Sequence, residues 1–283
     1  MASKVLVMAA LAAAAASPAA ATQSVPARLA APATVARLKP MKWLYVISLV
    51  TGEGTPQRIG FRTVSLTDTT YHGTAAWLVI DARQMHTAEY AESVYVGRAD
   101  LRPLYRIEHT PTGQTVSEFT GDSVRTVFDD DSGRVAVATA NERDALPTLY
   151  LVEGLIAASS LGANWSASAK LTAVDKHESG VVPVVLRTVG EQRLAVPDGA
   201  FDAWVVSLTL GRSEEKLWVR KSDGVVLKEQ VPVAGMAGAS VEMLLGLNGV
   251  QRADTARTGT ETTEPVRRTR RIRTDKARIG TGA

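Results

Sequence analysis

FDAWVVSLTL, residues 201–210, decides the fold. Trp204, Val206, Leu208 and Leu210 fall on one side of an extended chain, and Ala203, Val205, Ser207 and Thr209 on the other. A two-residue period of that length marks a half-buried β-strand. Glu214 to Lys221 repeats the pattern, with Leu217 and Val219 on one face and Lys216, Trp218 and Arg220 opposite. Ser222-Asp223-Gly224 then turns the chain into Val225 to Val231. Asp-Gly between two β-like runs is the strongest short-range hairpin signal.

Working outward, similar short runs recur. Before the hairpin they are Trp43 to Val50, Arg58 to Leu66, Tyr71 to Ile80, Met85 to Val96, Leu104 to His109, Thr115 to Phe119, Val124 to Phe128 and Arg134 to Thr139. Trp165 to Val174, Val181 to Val189 and Arg193 to Val196 follow, and Val241 to Leu247 closes the series. In Arg58 to Leu66, Ile59, Phe61 and Thr63 share a face. Turn residues separate the runs, among them Gly52-Glu53-Gly54, Asp68-Thr69-Thr70, Pro111-Thr112-Gly113 and Asp129-Asp130-Asp131-Ser132-Gly133. One segment breaks the rhythm. Pro147 suits the first position of a helix, and Leu149, Val152 and Ile156 recur at helical spacing, with Leu151 and Leu155 widening the stripe. The expectation is a mainly β protein: a large curved antiparallel sheet of about ten or more strands, a half-barrel, with one central α-helix, Pro147 to Leu161, on its concave face.

Composition bounds the rest. Of 283 residues, 45% are hydrophobic and 22% charged, which excludes a wholly disordered chain and a polytopic membrane protein. The absence of cysteine excludes disulfides, thiolate catalysis and zinc–thiolate sites. Lys4 followed by the apolar run Val5 to Ala16, Pro18 and the small residues Ala19-Ala20-Ala21 reads as a signal peptide over residues 1–21. Residues 22–40, rich in Ala and Pro, read as a flexible linker, and 41–250 as the β domain. Residues 251–283 carry nine basic against four acidic side chains and almost no large apolar ones, which reads as a basic disordered tail.

Several of these runs also resemble a known family. Gly60-Phe61-Arg62-Thr63-Val64, Ala76-Trp77-Leu78-Val79-Ile80, and Val94-Tyr95-Val96 leading to Leu101-Arg102-Pro103-Leu104-Tyr105 resemble the first half of an uncharacterised bacterial exported domain-of-unknown-function family. Leu146 to Leu161 resembles its mid-domain helix, Leu194 to Leu210 its strand–turn–strand passage, and Leu217 to Lys228 its closing hairpin. The resemblance covers about Met41 to Leu247. It implies a shape similar to the periplasmic lipoprotein carriers and their outer-membrane receptors, a β half-barrel closed by a helix. It implies no catalytic residue.

The search for chemistry agrees. His72, His86, His109 and His177 show no metal-ligating spacing, and neither a nucleophile motif nor a phosphate-binding glycine loop is present. Asp129 to Gly133 reads as a solvated hairpin tip rather than a cation loop. No catalytic site, metal or cofactor is therefore expected. The expected function is non-enzymatic: an exported envelope or periplasmic protein binding a lipid or acylated partner in the half-barrel. Trp77, Leu151, Leu155, Ile156, Trp204, Val206 and Leu208 would line the apolar site. Arg267, Arg268, Arg270, Arg271 and Arg273 would bind an anionic envelope surface, and the export signal argues against nucleic acid. The alternative is a structural or adaptor domain with a filled core, acting through strand edges and the basic tail.

Overall fold

The alternating runs join into a single sheet in the computed structural model, which describes residues 26–246 apart from 53, 143 and 175–178. In chain order the elements are β1 (Ala27–Arg28), α1 (Pro32–Val35), β2 (Met41–Thr51), β3 (Gln57–Tyr71), β4 (Thr74–Met85), β5 (Glu89–Gly97), β6 (Pro103–Thr110), β7 (Gly113–Thr120), β8 (Ser123–Asp130) and β9 (Gly133–Ala140). They continue with β10 (Ala145–Leu146), α2 (Leu151–Ala157), β11 (Ser166–Val174), β12 (Ser179–Val196), β13 (Gly199–Leu210), β14 (Ser213–Arg220), β15 (Val226–Pro232) and β16 (Ala239–Leu245).

The sheet has sixteen strands, is mixed but largely antiparallel, and is not closed. Two meanders build it. β2 to β9 pair in sequence order, as do β11 to β16, and β16 lies antiparallel to β2 to join them. Among the described strands only β1 and β10 run parallel, both along the outer edge of β11. The mainly β expectation holds in this form, with two short helices where one was expected.

Four local expectations are corrected. The turn placed at Asp68-Thr69-Thr70 lies at His72-Gly73, whose φ angles of 47° and 79° are both left-handed, as a tight hairpin turn requires. Asp68 to Thr70 instead stay in the ladder opposite Trp77, Ala76 and Ala75. Val181 to Val189 and Arg193 to Val196 form one strand, β12, kept continuous by a register shift between Thr188 and Gly190 that absorbs the extra residue. The helix is shorter than Pro147 to Leu161: only Leu151–Ala157 is α-helical. Its C-terminal carbonyls are closed off where the Ser159 hydroxyl donates to Leu155 O at 2.7 Å. Finally, the expected linker is packed from Ala27 onward. Leu29, Val35 and Leu38 are buried, and β1 pairs with β11. Its large apolar side chains are few, but Leu29, Val35 and Leu38 each find a place in the core.

One contiguous core gathers Leu66, Trp77, Val79, Val94, Val96, all the large side chains of α2 but Glu153, and Val184, Leu186, Val206, Leu208, Leu217 and Val219. A second joins Trp43, Tyr45, Ile47 and Val64 to Trp218, Leu227, Met243 and Leu245. The β14–β15 turn abuts α2: a Cβ added at Gly224, whose φ is +74°, would lie 2.7 Å from Ala157 Cα.

Candidate functional site

α2 is LVEGLIA, and its single polar side chain, Glu153, is buried with the rest. A carboxylate removed from water must be paired or protonated. The register shows what meets it. In β3 the inward face is Gly60, Arg62, Val64 and Leu66, so the alternation that buries Val64 and Leu66 also buries Arg62, 2% exposed. Across the ladder Arg62 stands between Tyr45 of β2 and Arg83 of β4, and the next rung sets Val64 beside Asp81 and Asp81 beside Glu92. Each of these polar groups occupies a core position because it shares the parity of its apolar neighbours.

Arg62 uses its whole guanidinium. Nε donates to Asp81 Oδ1 at 2.6 Å, Nη2 to Glu153 Oε1 at 2.6 Å and Nη1 to Glu229 Oε2 at 2.9 Å. The group lies 5.6 Å from the ring centroid of Tyr45 and 4.9 Å from that of Tyr150. Tyr45 Oη donates to Glu153 Oε2 at 2.9 Å. Arg83 Nε reaches the second oxygen of Asp81 at 2.9 Å and its Nη2 donates to the Tyr150 hydroxyl. One guanidinium thus ties α2 to β3, β4 and β15. Glu92 is held by Arg106 at 2.9 Å, close enough for an ion pair though not aligned as a hydrogen bond.

Carboxyls outnumber cations here. Asp81, Glu153, Glu229 and Glu215 face Arg62 and Arg83, and one Glu215 oxygen is buried without a hydrogen-bond partner among the described residues. Burial pushes the carboxyls of Glu153, Glu229, Glu215 and Glu92 above the usual range, against the pull of the nearby guanidiniums. Burial also raises the Tyr45 phenol, reinforced by the charge of Glu153. For Arg62, burial opposes the charge, but Glu153, Glu229 and Asp81 override it and hold the guanidinium protonated.

A pH dependence follows. A carboxyl raised in the folded state keeps its proton where the unfolded chain has released it. Its contribution is complete below the unfolded value of 4.5 and is lost as pH climbs through the folded value. The melting temperature is expected to fall by several degrees between pH 5 and pH 8, as followed by circular dichroism. A rise over that interval would contradict the upward shift of these carboxyls.

The seven residues expected to line an apolar site come together. Trp77, Leu151, Leu155, Ile156, Val206 and Leu208 are 0–3% exposed in one core, and Trp204 packs half-buried against it. Lys221 Nζ covers the Trp204 ring at 3.9 Å from its centroid. None of the seven lines either of two surface concavities. One, of about 170 Å³, is bounded by Gln114, Val116, Glu118, Arg125, Val127, Asp129 and Arg134. The other, of about 400 Å³, lies among Glu191, Gln192, Arg193, Asp202, Ala203 and Lys221. His72, His86 and His109 are exposed, and no group of three metal-ligating side chains occurs among the described residues. At the 129–133 tip, Asp130 Oδ1 accepts from Ser132 N at 2.9 Å and Ser132 Oγ at 2.6 Å. Residues 1–21, His177 and the arginines at 267, 268, 270, 271 and 273 lie outside the described residues.

The buried Arg62 network was not anticipated. The available signal was the parity of β3: an arginine flanked at two-residue spacing by Gly60, Val64 and Leu66. The apolar character of Ile59 and Phe61 points the other way, yet Phe61 is 38% exposed.

Compared with known families, residues 45–245 match the model described as "Protein of unknown function (DUF3108)". A comparison with characterised proteins finds no match.

Proposed function

We propose that this chain, which belongs to DUF3108, a family of unknown function, is a non-enzymatic exported interaction domain of the cell envelope, with an interior filled by its own side chains. The observation that carries this reading is the packing of Trp77, Leu151, Leu155, Ile156, Val206 and Leu208 on one another around α2. The helix occupies the space a ligand would take, and Glu153 ties it to three strands through Arg62. Export is supported by the charge, apolar run and small residues at 4–21. A curled sheet is supported by the core itself. Val94 on β5 and Val184 on β12 share one cluster although eight strand steps separate them, which on a flat sheet would be roughly 38 Å. The arginines at 267, 268, 270, 271 and 273 add an anionic envelope surface as a second contact.

A second reading, a carrier of a lipid or acylated partner, is favoured by one feature. α2 is only seven residues long and supplies Leu151, Val152, Leu155 and Ile156 to the core, so its withdrawal would open the same strand side chains to an acyl chain. Delipidated protein titrated with a fluorescent fatty acid separates the two. No saturable uptake is expected, and no lipid on native mass spectrometry after gentle purification. Saturable uptake would overturn the filled-core reading in favour of the carrier.

A further inference from the structure

The two ends of the sheet are finished differently. The outer edge of β11 is covered by β1 and β10. Among the described residues β9 pairs with β8 alone. At its nearest Cα atoms it comes within 8 Å of β12, but no ladder forms between them. The two-residue turn Asp131-Ser132 sets the phase of the hairpin, so Arg134, Ala136 and Ala138 direct their N–H and C=O groups to the open side. Such an edge is ordinarily blunted by charged side chains, proline or a bulge. β9, GRVAVATA, carries a single charge, Arg134, beside its turn and is otherwise unguarded, with Val135 43% exposed.

The side chains beside this edge form a receptacle. On the face carrying Arg134, Ala136 and Ala138, the facing residues of β8 are Asp129, Val127 and Arg125, and those of β7 are Gln114, Val116 and Glu118. These enclose the concavity of about 170 Å³, with Val116 and Val127 as its apolar floor. Because β9 presents only alanine methyl groups at 136 and 138, the floor is open toward the edge. Arg134 is exposed and makes no ion pair among the described residues.

We propose that β9 is a strand-addition site for an extended segment of a partner protein. The added strand completes the ladder along Arg134 to Ala138. One of its apolar side chains leans over the alanines onto Val116 and Val127, and a carboxylate two residues away meets Arg134. Main-chain bonds supply affinity and the alternate side-chain positions supply selectivity. A second copy of this chain fits poorly, because central antiparallel registers of β9 with itself set alanine against alanine and leave the floor uncovered. The proposal rests on the interaction-domain reading and names its partner chemistry.

The probe is a random ten-residue peptide library displayed on phage and selected against the full chain. Enriched sequences are expected to carry an acidic residue two positions from a large apolar one. Ala138→Pro leaves the β8 ladder intact, since that N–H faces outward, and is expected to weaken an enriched synthetic peptide at least about tenfold. Ala136→Lys, which asks nothing of the backbone, is expected to do the same and covers the case in which proline costs the fold. Arg134→Glu is expected to switch the selected acid to a base. The proposal is overturned by an absence of enrichment, by equal binding to both blocked variants, by an unchanged acid preference on Arg134→Glu, or by a concentration-dependent dimer that Ala138→Pro dissolves. Fatty-acid uptake bears only on the filled-core reading, so the two failures are separable.

Discussion

Arg62→Met is expected to lower the unfolding free energy by about 3–5 kcal/mol, the range for removing one partner from a buried ion pair. Methionine roughly fills the volume, so the loss comes from charge. Asp81, Glu153 and Glu229 keep their burial and lose their shared cation. Asp81 keeps Arg83, but Glu153 and Glu229 then escape the penalty chiefly by taking up protons. The loss measured by urea denaturation is therefore expected to be larger at pH 8 than at pH 5. A loss below about 1 kcal/mol, the ordinary worth of an exposed pair, would mean that the network is hydrated and unimportant.

Leu155→Ala is expected to cost about 2–5 kcal/mol, the range for large-to-small changes at sites that cannot collapse. Leu155 is fully buried in the middle of α2. The site is rigid on both sides. Gly154 already sits where a Cβ would meet Met41 Cε at 3.0 Å, and the Gly224 turn presses on Ala157. A helix of seven residues is far below the length that holds itself together in water, so α2 depends on this packing. The denaturation midpoint should fall while the slope stays constant. An unchanged midpoint would place Leu155 outside the cooperative core.

The strands were legible because period two is a strong signal where one face is apolar. Phe201 to Leu210 and the Asp223-Gly224 hairpin appear as read. What was hidden depended on partners distant in sequence. Asp68-Thr69-Thr70 reads as a turn locally but is held extended by β4. Leu29 and Leu38 look like stray apolar residues in a linker until β11 and α2 supply their contacts. Leu151, Leu155 and Ile156 of α2 meet Trp204, Val206 and Leu208 of β13 in one core, and the apolar character of each is visible within its own element. Arg62 was not, because its burial is justified only by Asp81, Glu153 and Glu229, and Glu229 lies 167 positions further along the chain. A charge whose compensation is that remote leaves no local trace.

The join between β16 and β2 bears on how the domain is made. Leu245 pairs with Tyr45, so the seam through the middle of the sheet links residues 200 positions apart. Each meander can form from neighbouring hairpins as it leaves the ribosome, but neither can be sealed to the other until the last strand has been synthesised. The loop-closure entropy grows only logarithmically with that separation, yet it must be met before the seam returns any contact energy. The first meander therefore stays unsealed from its own synthesis until almost the end of the domain's, with the outer edge of β2 bare until β16 arrives to bridge it to β15.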